Sequence, residues 1–88
     1  MTVTAKQIRM TSAHLDKRII RTPTLEAPML SRHLGCDIFL KMECLQHTSS
    51  FKARGALNAM LSLSDKQCEN GVITMSAGNH AQAVAYHA

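Results

Sequence analysis

Two short apolar runs, Asp37-Ile38-Phe39-Leu40-Lys41-Met42 and Val72-Ile73-Thr74-Met75, each lead through a loop into a stretch with helical periodicity. Strand, helix, strand, helix is the order of a βαβ unit, so the chain is read as α/β with a parallel sheet. The first run is apolar at most positions, as in a strand covered on both faces. In such sheets ligands sit beyond the carboxyl ends of the strands. Two residue clusters occupy that place here: Ser50-Phe51-Lys52-Ala53-Arg54-Gly55 after the first run, and Ser76-Ala77-Gly78-Asn79-His80 after the second.

The helices are bounded by local signals. Thr4 and Gln7 have capping-box spacing, and Ile8, Ser12, Leu15 and Ile19 continue one stripe, which predicts a helix reaching Ile20. Arg21-Thr22-Pro23 is extended, because the residue before proline is pushed out of the helical region. Pro28 opens a short helix that Gly35 closes. Residues 44–49 read as a polar loop. From Ser50 to Leu63, Ala53, Ala56, Leu57, Met60 and Leu61 form a core-facing stripe. Ser64 and Gln67 repeat the capping box, and Asn70-Gly71 ends that turn.

Composition excludes several classes. With 45% apolar residues the chain is not disordered, and no run approaches the ~18 apolar residues of a membrane span. Polar and charged residues between Thr4 and Arg9 break up any secretory leader. The three cysteines, Cys36, Cys44 and Cys68, lack metal spacing and are odd in number, which fits reduced thiols in the cytoplasm. The net charge of +4 is scattered, without a basic run or aromatic interleaving, so nucleic acid is not expected. Eighty-eight residues make a thin core. The final helical pattern, residues 81–88, lacks a stop signal. The chain is therefore expected to be the N-terminal part of a longer catalytic domain.

Lys52 is the main chemical candidate. A lysine in the first turn of a helix faces the positive end of the dipole, and with partial burial this raises its neutral, nucleophilic fraction. Such an amine can form a Schiff base with an aldehyde such as pyridoxal phosphate. Small neighbours at Gly55, Ala56 and Ala59 leave room for a flat ring. Taken alone, the same lysine is more simply a solvated surface residue, Phe51 a core residue, and Arg54 a solvated or ion-paired one. In the second cluster the unsatisfied N–H groups of a helix start suit a carboxylate or phosphate. Gly78 permits positive φ or close approach of a ligand. Asn79 either caps the helix or donates to a phenolate oxygen. His80 is read as a structural hydrogen-bonding residue. The other histidines have no partners at metal-ligand spacing.

Together the clusters resemble the fold-type II pyridoxal-phosphate enzymes, which share the tryptophan-synthase-β-like fold, and within them the threonine dehydratase and serine racemase group. Residues 40–56, L-K-M-E-C-L-Q-H-T-S-S-F-K-A-R-G-A, resemble that group's strand, glutamine-threonine loop and lysine helix. Residues 74–85, T-M-S-A-G-N-H-A-Q-A-V-A, resemble its asparagine loop, and the Arg21-Thr22-Pro23 segment also fits.

The resemblance implies a role for each residue. Lys52 holds pyridoxal 5'-phosphate as an imine and exchanges the substrate α-proton. Phe51 packs beside the ring, and Asn79 hydrogen-bonds its O3′. Ser76, Ala77, Asn79 and His80 cradle the carboxylate of a small amino-acid substrate. The implied reaction is β-elimination of L-threonine or L-serine to a 2-oxo acid and ammonia. The related serine racemases carry a serine at the position of Ala77, which delivers a proton to the opposite carbanion face; alanine has none to give, which favours elimination over racemisation. Hydroxyaspartate ammonia-lyase and a non-catalytic remnant are the other readings. The resemblance further implies a homo-oligomer as the full-length protein. It places the phosphate cup and the partner of the pyridine nitrogen beyond Ala88, so the 88 residues alone are expected to be inactive.

Overall fold

A computed structural model describes all residues from Met1 to Ala88. Both capping boxes form as the spacing predicts. Thr4 Oγ1 accepts the Gln7 N–H at 3.3 Å while Gln7 Oε1 accepts the Thr4 N–H at 2.8 Å, starting α1 (Ala5–Leu15). Ser64 and Gln67 do the same for α4 (Asp65–Asn70). α1 stops at Leu15 rather than Ile20, because the N–H groups of Arg18 and Ile19 both turn back onto the Leu15 carbonyl. Leu15 is its one buried residue, so nothing apolar holds a further turn.

The chain then runs through β1 (Thr24–Glu26) and α2 (Pro28–Leu34) to β2 (Phe39–Lys41). α2 starts on Pro28 and closes on Gly35, whose φ of +70° suits the residue without a Cβ. β1 and β2 pair antiparallel, with Leu25 opposite Leu40, and Met42 and Ala27 extend the ladder through bonds to Pro23 and Ile38.

This corrects the expected parallel βαβ sheet. The two strands form the whole sheet, and residues 72–75 form no strand. β2 pairs with β1, and no further strand pairs with it. The apolar runs are consequently exposed rather than covered: Phe39 retains 58% of its surface, Ile73 99% and Met75 98%.

The core lies where α3 (Lys52–Leu61) packs against α5 (Asn79–His87) and, less extensively, against α1. Ala53, Ala56 and Leu57 of the predicted stripe are buried together with Ala83 and Leu15; Leu61, at the end of the stripe, is exposed. The accessible surface is 7156 Å², against about 5,100 Å² for a compact chain of this mass. The radius of gyration, 15.9 Å, likewise exceeds the ~12 Å of a compact chain of this length. Large apolar side chains remain exposed along the whole chain, among them Met10, Met29, Leu34, Phe39, Ile73 and Met75.

Two 3-10 turns, Glu43–Leu45 and His47–Ser49, replace the expected loop before α3. Thr48 and Ser49 both take left-handed backbone, at φ of 56° and 57°. That conformation costs a residue with a Cβ roughly 1–2 kcal/mol. Ser49 is exposed, so Ser49→Gly is expected to raise the unfolding free energy of the whole protein by about 0.5–1 kcal/mol after the added unfolded-state entropy is deducted. Denaturant titration checks this; a lower midpoint would show that the serine hydroxyl matters more than its backbone.

Candidate active site

Lys52 is the first residue of α3. Ser50, extended and buried, accepts the Lys52 N–H on Oγ at 3.3 Å, while Phe51 holds the N-cap position and supplies no side-chain cap. The Lys52 amine lies 5.3 Å from the centre of the Phe51 ring and takes part in no hydrogen bond or ion pair. Both side chains are exposed, against the partial burial expected of Lys52. The physical reason is that α3 turns its alanine and leucine stripe inward, and Phe51 and Lys52 precede that stripe.

The carboxylate that α3 does engage is that of Glu43, through Arg54. Glu43 receives Arg54 Nε at 2.7 Å and its terminal nitrogen at 2.9 Å, Thr22 Oγ1 at 2.6 Å and, at the limit of bonding distance, Gln46 Nε2 at 3.5 Å. The paired Arg54 hydrogen bonds hold the Glu43 carboxyl at about 2, below its ordinary 4.5, with help from Thr22 and against the cost of burial. Arg54 is thus ion-paired, the second of its two expected states. Buried Gln46 pairs with the backbone of Ile20 in both directions: Oε1 accepts its N–H at 2.9 Å and Nε2 donates to its carbonyl at 2.8 Å. Lys41 Nζ donates to the Thr22 carbonyl at 3.1 Å. The 20–23 segment, the two turns and the first turn of α3 are therefore one polar cluster. Sequence reasoning missed Glu43, Gln46 and Thr22 as a group; their partners lie 21 and 26 residues away and carry no local signal.

The 76–80 turn opens α5. Ser76 Oγ accepts the Gly78 N–H at 3.2 Å. Gly78 is the N-cap residue and supplies no side-chain cap, so the N–H groups of Asn79, His80 and Ala81 have no acceptor. Asn79 is not the cap; its carboxamide is unengaged. Gly78 has φ of −151°, so of the two uses expected of it, close approach remains: no atom lies within 4 Å of where a Cβ would stand. Ser76, Ala77, Asn79 and His80 are all exposed. A cavity of about 210 Å³ lies beside the α3–α5 contact, lined by Gly55, Ala56, Ala59, Val72, His80 and Val84. His80 is thus brought beside the small-residue face of the lysine helix. Lys52, Asn79, Ser76 and Ala77 do not line that cavity, and no hydrogen bond joins Lys52 to the turn.

These residues fit pyridoxal phosphate and an amino acid in donor type: an uncommitted amine beside an aromatic ring, a free carboxamide, open N–H groups for a carboxylate, and glycines at 55 and 78 with open space above them. No group of three or more His, Cys, Asp or Glu side chains is gathered for a metal ion. No helix is long and apolar enough to cross a membrane.

Residues 15–88 match the sequence profile of the pyridoxal-phosphate dependent enzymes. Serine racemase of Dictyostelium discoideum is 42% identical over 85 residues, 97% of this chain and 26% of that protein. A biosynthetic L-threonine dehydratase of Bacillus subtilis is 44% identical over 84 residues, covering 96% and 20% respectively. L-threo-3-hydroxyaspartate ammonia-lyase of Saccharomyces cerevisiae is 44% identical over 77 residues, covering 88% and 24%. The crystal structure of serine racemase from Dictyostelium discoideum superposes with a TM-score of 0.88 at 41% identity, over 99% of this chain and 29% of that one. The chain thus spans about a fifth to a quarter of the length of these curated relatives. Its own two strands pair antiparallel, yet its path follows a mixed α/β segment of the fold-type II architecture. The chain belongs to the pyridoxal-phosphate dependent enzyme family, in the fold-type II group that includes serine racemases and threonine dehydratases.

Proposed function

We propose that this chain is the lysine-bearing part of a lyase that eliminates the β-hydroxyl of L-threonine or L-serine, giving a 2-oxo acid and ammonia. The supporting observation is the uncommitted Lys52 amine at the start of α3, beside the Phe51 ring and outside the Arg54–Glu43 pair. Pyridoxal phosphate, when bound, supplies an electron sink for charge developing at the substrate α-carbon.

The chain's own residues supply the rest. Lys52 holds the cofactor aldehyde and takes the α-proton on Nζ. Phe51 covers one side of the ring. The Asn79 carboxamide donates to the cofactor's O3′, and the open N–H groups at the start of α5 receive the substrate carboxylate with Ser76, Ala77 and His80 around it. Ala77 carries no transferable proton, so the α-carbon is served from the Lys52 face alone. The same reading includes a homo-oligomeric, cytoplasmic protein with no nucleic-acid or membrane partner.

Racemisation of serine is the second reading, favoured by the likeness to Dictyostelium serine racemase. One experiment separates them: 2-oxobutyrate release from L-threonine is measured beside D-serine formation from L-serine, using the whole protein. Elimination is expected to dominate, and Ala77→Ser to add D-serine formation. Racemisation without elimination in the unaltered protein would reverse the assignment.

A further inference from the structure

Tyr86 and His47 form a contact that the proposed chemistry does not use. Their rings stack with centres 5.0 Å apart and planes 21° from parallel, and the Tyr86 hydroxyl lies 3.2 Å from His47 Nδ1. His87 meets Tyr86 edge-on at 4.9 Å. Burial lowers the His87 pKa, opposed by the Ala53 backbone.

The contact joins two elements that matter for the site. Tyr86 belongs to α5, whose first turn offers the open N–H groups. His47 begins the 3-10 turn whose next two residues have left-handed backbone, and Lys52 follows three residues later. Such backbone persists only where surrounding contacts hold it. Toward the N-terminus the turn is held by Gln46, which accepts the His47 N–H on Oε1 at 3.1 Å and the Ser49 N–H on its carbonyl at 2.8 Å. Toward α5 it is held by Tyr86.

We infer that Tyr86 is a positioning residue: through His47 it fixes the strained turn that presents the Lys52 amine, and so ties the lysine to the helix of the carboxylate cradle. This rests on the reading that Lys52 holds the cofactor. A neutral hydrogen bond of this kind is worth about fivefold in an equilibrium or rate.

The test follows attachment of pyridoxal phosphate to the cofactor-free whole protein by absorbance, with borohydride fixation and peptide mapping to locate the lysine. Tyr86→Phe keeps the ring and loses the hydroxyl; His47→Leu loses the ring nitrogen; His47→Gln restores a side chain that can donate or accept. Attachment is expected to slow about fivefold in the first two and to stay within about twofold of wild type in the third. Wild-type rates in Tyr86→Phe and His47→Leu would overturn the inference, as would equal slowing in His47→Gln and His47→Leu, which marks loss of packing alone. Should Tyr86→Phe fail to fold, the two His47 variants decide. A tag on another lysine in the unaltered protein would instead remove the reading of Lys52 itself, an outcome the peptide map separates from failure of the positioning role.

Discussion

Lys52→Ala in the whole protein is expected to remove the visible absorbance of the bound cofactor and to lower the elimination rate by ~10³-fold or more, the scale on which a positioned proton-transfer group acts. The argument is one of availability. Among the groups around the start of α3, the Arg54 guanidinium and the Glu43 carboxylate are spent on each other, and Lys41 donates to the Thr22 carbonyl. The Lys52 amine alone has no partner in the cluster and lies beside an aromatic ring. Borohydride should fix the cofactor to Lys52, while Lys66→Ala on the exposed face of α4 should leave both spectrum and rate unchanged. An unaltered spectrum in Lys52→Ala would end the proposal.

The second large effect is expected at Glu43. Its carboxylate collects donors from α3, the 20–23 segment and the turn between them, with only 15% of the side chain exposed. Glu43→Gln removes the charge and sets an amide donor against the donors of Arg54 or Thr22. The expected loss is about 2–3 kcal/mol, the range for hydrogen bonds to charged groups left half-made. The acid response has a definite sign. A folded-state pKa near 2, below the ordinary 4.5, makes the ionised carboxylate a stabilising group above pH ~4.5, and that stabilisation is lost as the pH falls toward 2. Melting temperature measured from pH 6 to pH 2 should therefore drop steeply in the wild type and less steeply in Glu43→Gln. Parallel curves would show that other carboxylates carry the acid sensitivity.

The local features were legible because each is written within a few residues. Thr4 with Gln7, Ser64 with Gln67, Pro28 with Gly35, and the Ala53-Ala56-Leu57 stripe all act over one or two helical turns. The lysine and asparagine clusters were legible for the same reason, since each is a contiguous run at a helix start. The strand expected within residues 37–42 forms at Phe39–Lys41, whereas residues 72–75 form no strand and the expected buried parallel pair is absent. Pairing depends on which backbone edge lies alongside, and here β2 meets β1.

The sequence by itself determined the caps, the helix faces, and the lysine and asparagine runs at two helix starts, because short-range hydrogen bonding and periodicity are encoded in neighbouring side chains. Only the tertiary structure decided that Arg54 is bound to Glu43 rather than to solvent, that Gln46 pairs with Ile20, and that Tyr86 stacks on His47. Those partners lie 11 to 39 residues apart, and long-range contacts of this kind are selected by how the helices pack, not by any local preference of the chain.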